Sequence, residues 1–185
     1  MNKLAFLKEA IIDLRKTGSF VPSSSFLAKK LVAPIIMKSG ICVVELGAGT
    51  GPVTKHLLDV LPKNSRLISI EINASLAKKL KEAINDKRLE IINGDASKLS
   101  KYLKERNIKK ADYIVSSLPL DNLPKSKRLA IYNQIKNCIR PDGAYIQFQY
   151  LLANLSEIKK RFVISDIGFE PRNFPPAFVY TCKLK

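Results

Sequence analysis

The chain has 185 residues, 46% of them hydrophobic, which is enough for one sizeable core and too short for two ordinary domains. No apolar stretch approaches the roughly 20 residues of a membrane-spanning helix, and the charges in Met1-Asn2-Lys3-Leu4-Ala5-Phe6-Leu7-Lys8-Glu9 interrupt any signal-peptide core, so a cytoplasmic protein is expected. Thirty-two Lys and Arg against sixteen Asp and Glu leave a formal charge of +16, which suits a polyanionic partner, nucleic acid or anionic lipid, and equally a lysine-rich solvated surface.

Residues 3–16 place Leu4, Leu7, Ile11 and Leu14 on one face, with Lys3, Lys8, Asp13, Arg15 and Lys16 off it, which predicts an amphipathic helix. After Thr17-Gly18-Ser19, the turn Phe20-Val21-Pro22-Ser23-Ser24-Ser25 caps a second helix over about 24–37. Strand-like runs then alternate with helix-like ones. Strands are expected at 41–46, 66–70, 88–92, 111–117, 144–150, 161–165 and 177–184, and helices at 50–60, 74–84, 98–104, 125–139 and 154–160. This alternation predicts an α/β fold with a seven-stranded sheet. Cys42, Cys138 and Cys182 sit in apolar runs and are read as core residues, and His56 is the sole histidine, so no metal site is expected.

The first core strand delivers Glu45-Leu46-Gly47-Ala48-Gly49-Thr50-Gly51 to a helix start. The glycines let a ligand approach the backbone, and Thr50 is placed to cap the helix. Such a loop is common to many strand-to-helix turns. Glu71, twenty residues after Gly51, ends the next strand, where a carboxylate can accept from two ribose hydroxyls. Asn93-Gly94-Asp95-Ala96 ends the third, with a carboxylate for an adenine amino group. An acidic Glu45 before the loop and the lack of G-K-[ST] within it disfavour a nucleotide polyphosphate.

These three segments resemble the first three motifs of class I S-adenosylmethionine-dependent methyltransferases. The resemblance implies a Rossmann-like, mostly parallel sheet with helices on both faces, its last strand antiparallel, behind an N-terminal helical lid. It assigns S-adenosylmethionine to Glu45, Gly47, Ala48, Gly49, Thr50 and Gly51 (methionine part), Glu71 and Ile72 (ribose side), Gly94, Asp95 and Ala96 (adenine) and Ser116. S-adenosylhomocysteine is the implied product. Residues 1–37 are expected to form the lid or a membrane-contact segment, and 38–185 the methyltransferase domain, within one structural unit.

At the fourth strand end, Ser116-Ser117-Leu118-Pro119-Leu120 stands where enzymes that methylate adenine amino groups carry an Asn- or Asp-Pro-Pro- or Leu-Pro-aromatic segment. Ser117 and Leu120 depart from that pattern, which counts against a base as acceptor. Together with Phe20-Val21-Pro22-Ser23-Ser24, Gln147-Phe148-Gln149-Tyr150 and Asn173-Phe174-Pro175-Pro176-Ala177-Phe178-Val179-Tyr180, the segment is similar to bacterial phospholipid N-methyltransferases, relatives of ribosomal RNA adenine dimethylases. The resemblance implies methylation of phosphatidylethanolamine by a cytoplasmic enzyme attached to the inner face of the membrane. The basic amphipathic N-terminus can lie in the headgroup layer, or fold as a lid. Tyr150, Ser117 and Tyr180 are the catalytic candidates, and Ser23, Ser24, Leu118, Pro119 and Asp121 the substrate-binding ones. The alternatives are a ribosomal RNA adenine N6-methyltransferase and a non-catalytic cofactor-binding module; no stable nucleic-acid partner is expected.

Overall fold

The computed structural model describes residues 23–152 and 155–185, and the helix expected over 3–16 lies outside them. The strands are β1 (Cys42–Leu46), β2 (Arg66–Glu71), β3 (Leu89–Asn93), β4 (Ala111–Ser116), β5 (Ile139–Gln149), β6 (Phe162–Glu170) and β7 (Ala177–Leu184). The helices are α1 (Ser25–Val32), α2 (Pro52–Val60), α3 (Ala74–Ala83), α4 (Leu99–Lys104), α5 (Lys125–Cys138) and α6 (Leu155–Arg161). All seven strands join one sheet in the order β3-β2-β1-β4-β5-β7-β6. Pairing is parallel from β3 through to β5, while β7 runs antiparallel to both β5 and β6.

The central strands are apolar on both faces, as a parallel sheet sandwiched by helices requires. Val43 and Val115 pack with Leu27, Leu31, Val53 and Leu57 of α1 and α2, and α3 covers Ile91 on that side through Ala77 and Leu80. Val44, Leu46, Ile68 and Ile114 face the opposite layer, where Leu103, Ile131, Ile135 and Ile158 of α4, α5 and α6 complete the core. The three cysteines are free thiols, and two of them are buried.

The local departures from the expected elements have physical causes. Helix α1 begins where Ser24 Oγ accepts from Leu27 N–H at 3.2 Å, but it ends at Val32 with Ala33 as its cap, because Pro34 has no N–H to continue the ladder. Helix α2 is capped by Gly51 in the left-handed conformation with no side-chain hydrogen bond, so Thr50 is not its cap; Pro52 supplies the first turn. Strand β5 starts at Ile139 and runs through Pro141, which the register irregularity against Ala111 and Tyr113 accommodates. Strand β6 extends to Glu170, since a bulge between Ile164 and Asp166 breaks the alternation that marks a strand in sequence.

Candidate functional site

Parallel pairing puts the carboxyl ends of β3, β2, β1 and β4 side by side, and the order reverses between β1 and β4, the crevice where open α/β sheets bind ligands. The glycine loop leaves β1 there. Gly47 and Gly49 have φ of 80° and 56°, values an L side chain rarely adopts. A Cβ on Gly47 would stand 3.0 Å from Leu118 of the fourth-strand loop, whereas one on Gly49 would meet nothing within 4 Å. Gly47 therefore packs the two loops together, and Gly49 leaves open space on the ligand side. Ala48 is buried and Thr50 exposed.

The buried Glu71 carboxylate is fixed by backbone: Gly49 N–H donates to Oε2 and Asn73 N–H to Oε1, each at 2.8 Å. The Asn93 amide donates to the carbonyls of Glu71 and Ile72 at 2.9 and 3.0 Å, locking β2 to β3 at this end. The Ile72 side chain is left 67% exposed beside that carboxylate, an apolar surface for a flat ring.

Asp95 is engaged from two sides. Ser97 donates to Oδ1 through its N–H at 2.9 Å and its hydroxyl at 2.8 Å, and Lys127 of α5 donates to Oδ2 and, at 3.1 Å, to Ser97 Oγ. Burial works against the charged carboxylate, but Lys127 and Ser97 together hold it below the usual carboxylate range. Gly94 lies against Tyr102, whose hydroxyl accepts from Asp95 N–H at 3.1 Å. Ala96 is buried at the start of a short 3-10 turn.

Glu45 is completely buried, and the hydroxyls of Thr54 and Ser69 both donate to its Oε2 at 2.6 Å while Oε1 has no partner. Burial pushes its pKa up to about 6, against the lowering effect of those two hydroxyls. A buried, half-satisfied carboxylate beside the glycine loop favours a cationic ligand portion over a phosphate.

At the carboxyl end of β4, Ser117 N–H donates to Leu46 O at 2.9 Å, and its hydroxyl is buried without a partner. Ser116 is buried and its Oγ accepts from Leu118 N–H at 3.3 Å, so its side chain shapes the loop from beneath. Gln147 donates to Leu118 O at 3.1 Å and accepts from the Tyr145 hydroxyl at 2.8 Å, propping the Leu118-Pro119 turn. Asp121 lies in the 3-10 turn that follows, where its charge adds to the burial that raises the pKa of Tyr180.

Tyr180 is buried on β7 opposite Gln147, with no partner for its hydroxyl. Desolvation, aided by Asp121, pushes its pKa up to about 12. Tyr150 is half-buried past the end of β5, its pKa raised by burial despite a hydrogen bond with Asn173. Both hydroxyls stay protonated at neutral pH, so they are available as hydrogen-bond donors and do not act as bases. Ser24 spends its hydroxyl on the cap of α1 and donates its N–H to Asn173 Oδ1 at 2.9 Å; Ser23 precedes it, half-buried. The fold thus joins Glu71, Asp95 and the glycine loop at one crevice, with Ser117, Leu118, Pro119 and Asp121 at its β4 rim. Sequence reasoning missed Thr54, Ser69 and Asn73, the bracing hydrogen bonds of Asn93 and Gln147 within segments it had singled out, and the contact of Lys127 with Asp95.

Residues 43–143 match the model of a methyltransferase domain family. The chain belongs to this family. S-adenosylmethionine is the methyl donor of this methyltransferase, and the crevice fits it: the carboxylates of Glu71 and Asp95 at adjacent strand ends, open space over Gly49 and a bare aliphatic face at Ile72. An ornithine lipid N-methyltransferase of Singulisphaera acidiphila is 34% identical over 90% of this methyltransferase and 88% of its own length. A ribosomal RNA small subunit methyltransferase A of Malacoplasma penetrans is 30% identical over 91% of the chain, which spans 65% of that protein. Among solved structures, an S-adenosylmethionine-dependent methyltransferase from Aquifex aeolicus superposes with a TM-score of 0.67 at 13% identity, covering 85% of this chain and 89% of that one. At that identity the likeness is one of fold. Among the described residues, no helix is long and apolar enough to cross a membrane, and no group of three metal-ligating side chains occurs.

Proposed function

We propose that this methyltransferase modifies lipid, transferring methyl groups to the amine of phosphatidylethanolamine at the inner face of the membrane, where it attaches peripherally from the cytoplasm. The observation that carries the choice of lipid over a nucleic-acid base is Leu120: where adenine methyltransferases present an aromatic ring for stacking, this chain has an aliphatic side chain that is wholly buried in the core. The similarity to an ornithine lipid N-methyltransferase over nine-tenths of the chain supports the same reading. It also makes an ornithine-type headgroup, again a terminal primary amine, the second acceptor to test.

In this reading Gly47, Ala48, Gly49, Thr50 and Gly51 with Glu45 bind the methionine portion, Glu71 and Ile72 the ribose and ring face, and Asp95 with Gly94 and Ala96 the adenine. The donor supplies a methyl group already activated on a sulfonium, so the protein's task is alignment and exclusion of water. Ser117 and the Leu118-Pro119 turn hold the acceptor amine, Tyr150 and Tyr180 donate hydrogen bonds, and Asp121 takes the proton a headgroup ammonium must lose before it attacks. Residues 1–37 serve as lid or membrane-contact segment, and 38–185 as the methyltransferase domain.

The test incubates the full chain with methyl-labelled S-adenosylmethionine and, separately, phosphatidylethanolamine vesicles, ornithine-lipid vesicles and ribosomal RNA. Label in phosphatidylethanolamine supports the proposal, and label in ornithine lipid alone moves the acceptor. Label in RNA, or in none of the three, overturns it.

A further inference from the structure

Strand β6 lies parallel to β5, so the turn joining β6 to β7 emerges at the same end of the sheet as the glycine loop and the acceptor loop. That end carries an unusual run of uncovered apolar side chains: Phe174 is 62% exposed in the turn, Phe169 is 49% exposed near the end of β6, Leu152 is 45% exposed just beyond β5, and Phe26 is 41% exposed in the first turn of α1. Cationic groups are interleaved with them. The Arg172 guanidinium stacks 4.1 Å from the centroid of the Phe26 ring, and Lys30 packs against Gly168.

These side chains are presented on a braced frame. The buried Asn173 amide donates to Pro175 O at 2.7 Å and its carbonyl oxygen accepts from Ser24 N–H at 2.9 Å, tying the β6–β7 turn to the start of α1. Glu170 accepts from Arg172 Nε and Nη2 at 2.8 and 3.0 Å, which fixes the guanidinium over Phe26. Aromatic rings with arginine and lysine between them, on a chain of net charge +16, match the interface of an anionic bilayer, where rings enter the acyl boundary and cations meet lipid phosphates.

We infer that Phe26, Phe169, Phe174 and Leu152, with Arg172 and Lys30, form a docking rim that seats this end of the sheet on an anionic lipid surface, with the crevice facing the bilayer. The inference rests on the lipid reading for its purpose, but it concerns binding and is read without methyl transfer. It places a membrane contact on α1 and the β5–β7 edge of the folded sheet, in addition to the basic stretch at positions 3–16.

The chain has no tryptophan, so Phe174→Trp in the full chain gives a single fluorophore at the rim. With phosphatidylglycerol vesicles its emission shifts to the blue and is quenched by lipids brominated on the acyl chain; phosphatidylcholine vesicles produce a weaker response. Phe26→Glu with Phe174→Glu reduces sedimentation with phosphatidylglycerol vesicles by about tenfold or more, while the thermal midpoint and S-adenosylmethionine affinity hold. An unshifted Trp emission, unchanged sedimentation of the double variant, or a double variant altered only in self-association or RNA binding overturns the inference. Rim binding without labelled lipid product would sink the proposed acceptor and leave the docking surface standing.

Discussion

Lys127, at the start of α5, donates to the carboxylate of Asp95 just past the end of β3, linking the proposed adenine side of the crevice to the helix that follows the β4 loop. The contact spans 32 positions in sequence. It orients Asp95 and keeps it ionised; Oδ1 already accepts twice from Ser97, while Oδ2 retains one lone pair for an incoming amino group. Lys127→Met should weaken S-adenosylmethionine binding about fivefold at pH 7.5, the size expected of a partly exposed ion pair. The loss should deepen as the pH falls toward 5, where the unpaired Asp95 begins to protonate. Calorimetric titration at the two pH values checks this; tighter binding by the variant would mean that Lys127 competes with adenine.

Glu45 makes stability depend on pH. Its pKa is raised to about 6 in the fold, whereas the unfolded chain has an ordinary value of about 4.3. The folded protein therefore binds the extra proton between these values, and the stability contributed by protonated Glu45 is complete below about 4.3 and lost as pH rises through about 6. The difference is on the order of 2 kcal/mol. Glu45→Gln should remove this decline: without cofactor, the melting temperature of the native protein should fall relative to that of the variant between pH 4.5 and 7. Thermal denaturation by circular dichroism measures both, and parallel profiles would contradict the assignment. The variant should also bind the cationic cofactor more weakly.

Asp121→Asn tests proton removal from the acceptor. The substitution should lower kcat/KM for the lipid amine about 100-fold and leave S-adenosylmethionine affinity intact. The residual activity should rise with pH over a wider range than that of the native enzyme, as the free amine forms without help. A variant with native kcat/KM would assign proton loss to solvent.

Gly49→Val fills the space that a Cβ now finds empty. The left-handed φ of 56° costs a branched side chain about 1–2 kcal/mol of stability, and cofactor binding should fall more than tenfold, because the isopropyl group stands where the ligand approaches. Equilibrium dialysis with labelled cofactor checks the loss, and urea denaturation the smaller cost.

The sheet was legible because β1, β2 and β4 are short, mostly apolar runs set between turn-forming residues, such as Gly40 and Gly47 around β1 and Asn64 and Asn73 around β2, and the expected and observed bounds agree to within a residue. Local pattern failed where tertiary contacts decided: Pro141 inside β5 and the bulge of β6 both break the alternation. Glycines and carboxylates at strand ends announced the crevice, because their spacing follows the strand–helix repeat. Its supports are set by register and by helix packing. Ser69 meets Glu45 only because those two positions pair across β1 and β2, and Lys127 looks like any other lysine on a basic surface until α5 is docked.

The reversed direction of β7 also gives the molecule a front and a back. The chain leaves the sheet after Leu184, at the end remote from the glycine loop and the aromatic rim. A fluorescent protein or surface tether fused after Lys185 would therefore trail away from a bilayer that the rim had engaged, providing a handle for single-molecule tracking of residence time on supported membranes.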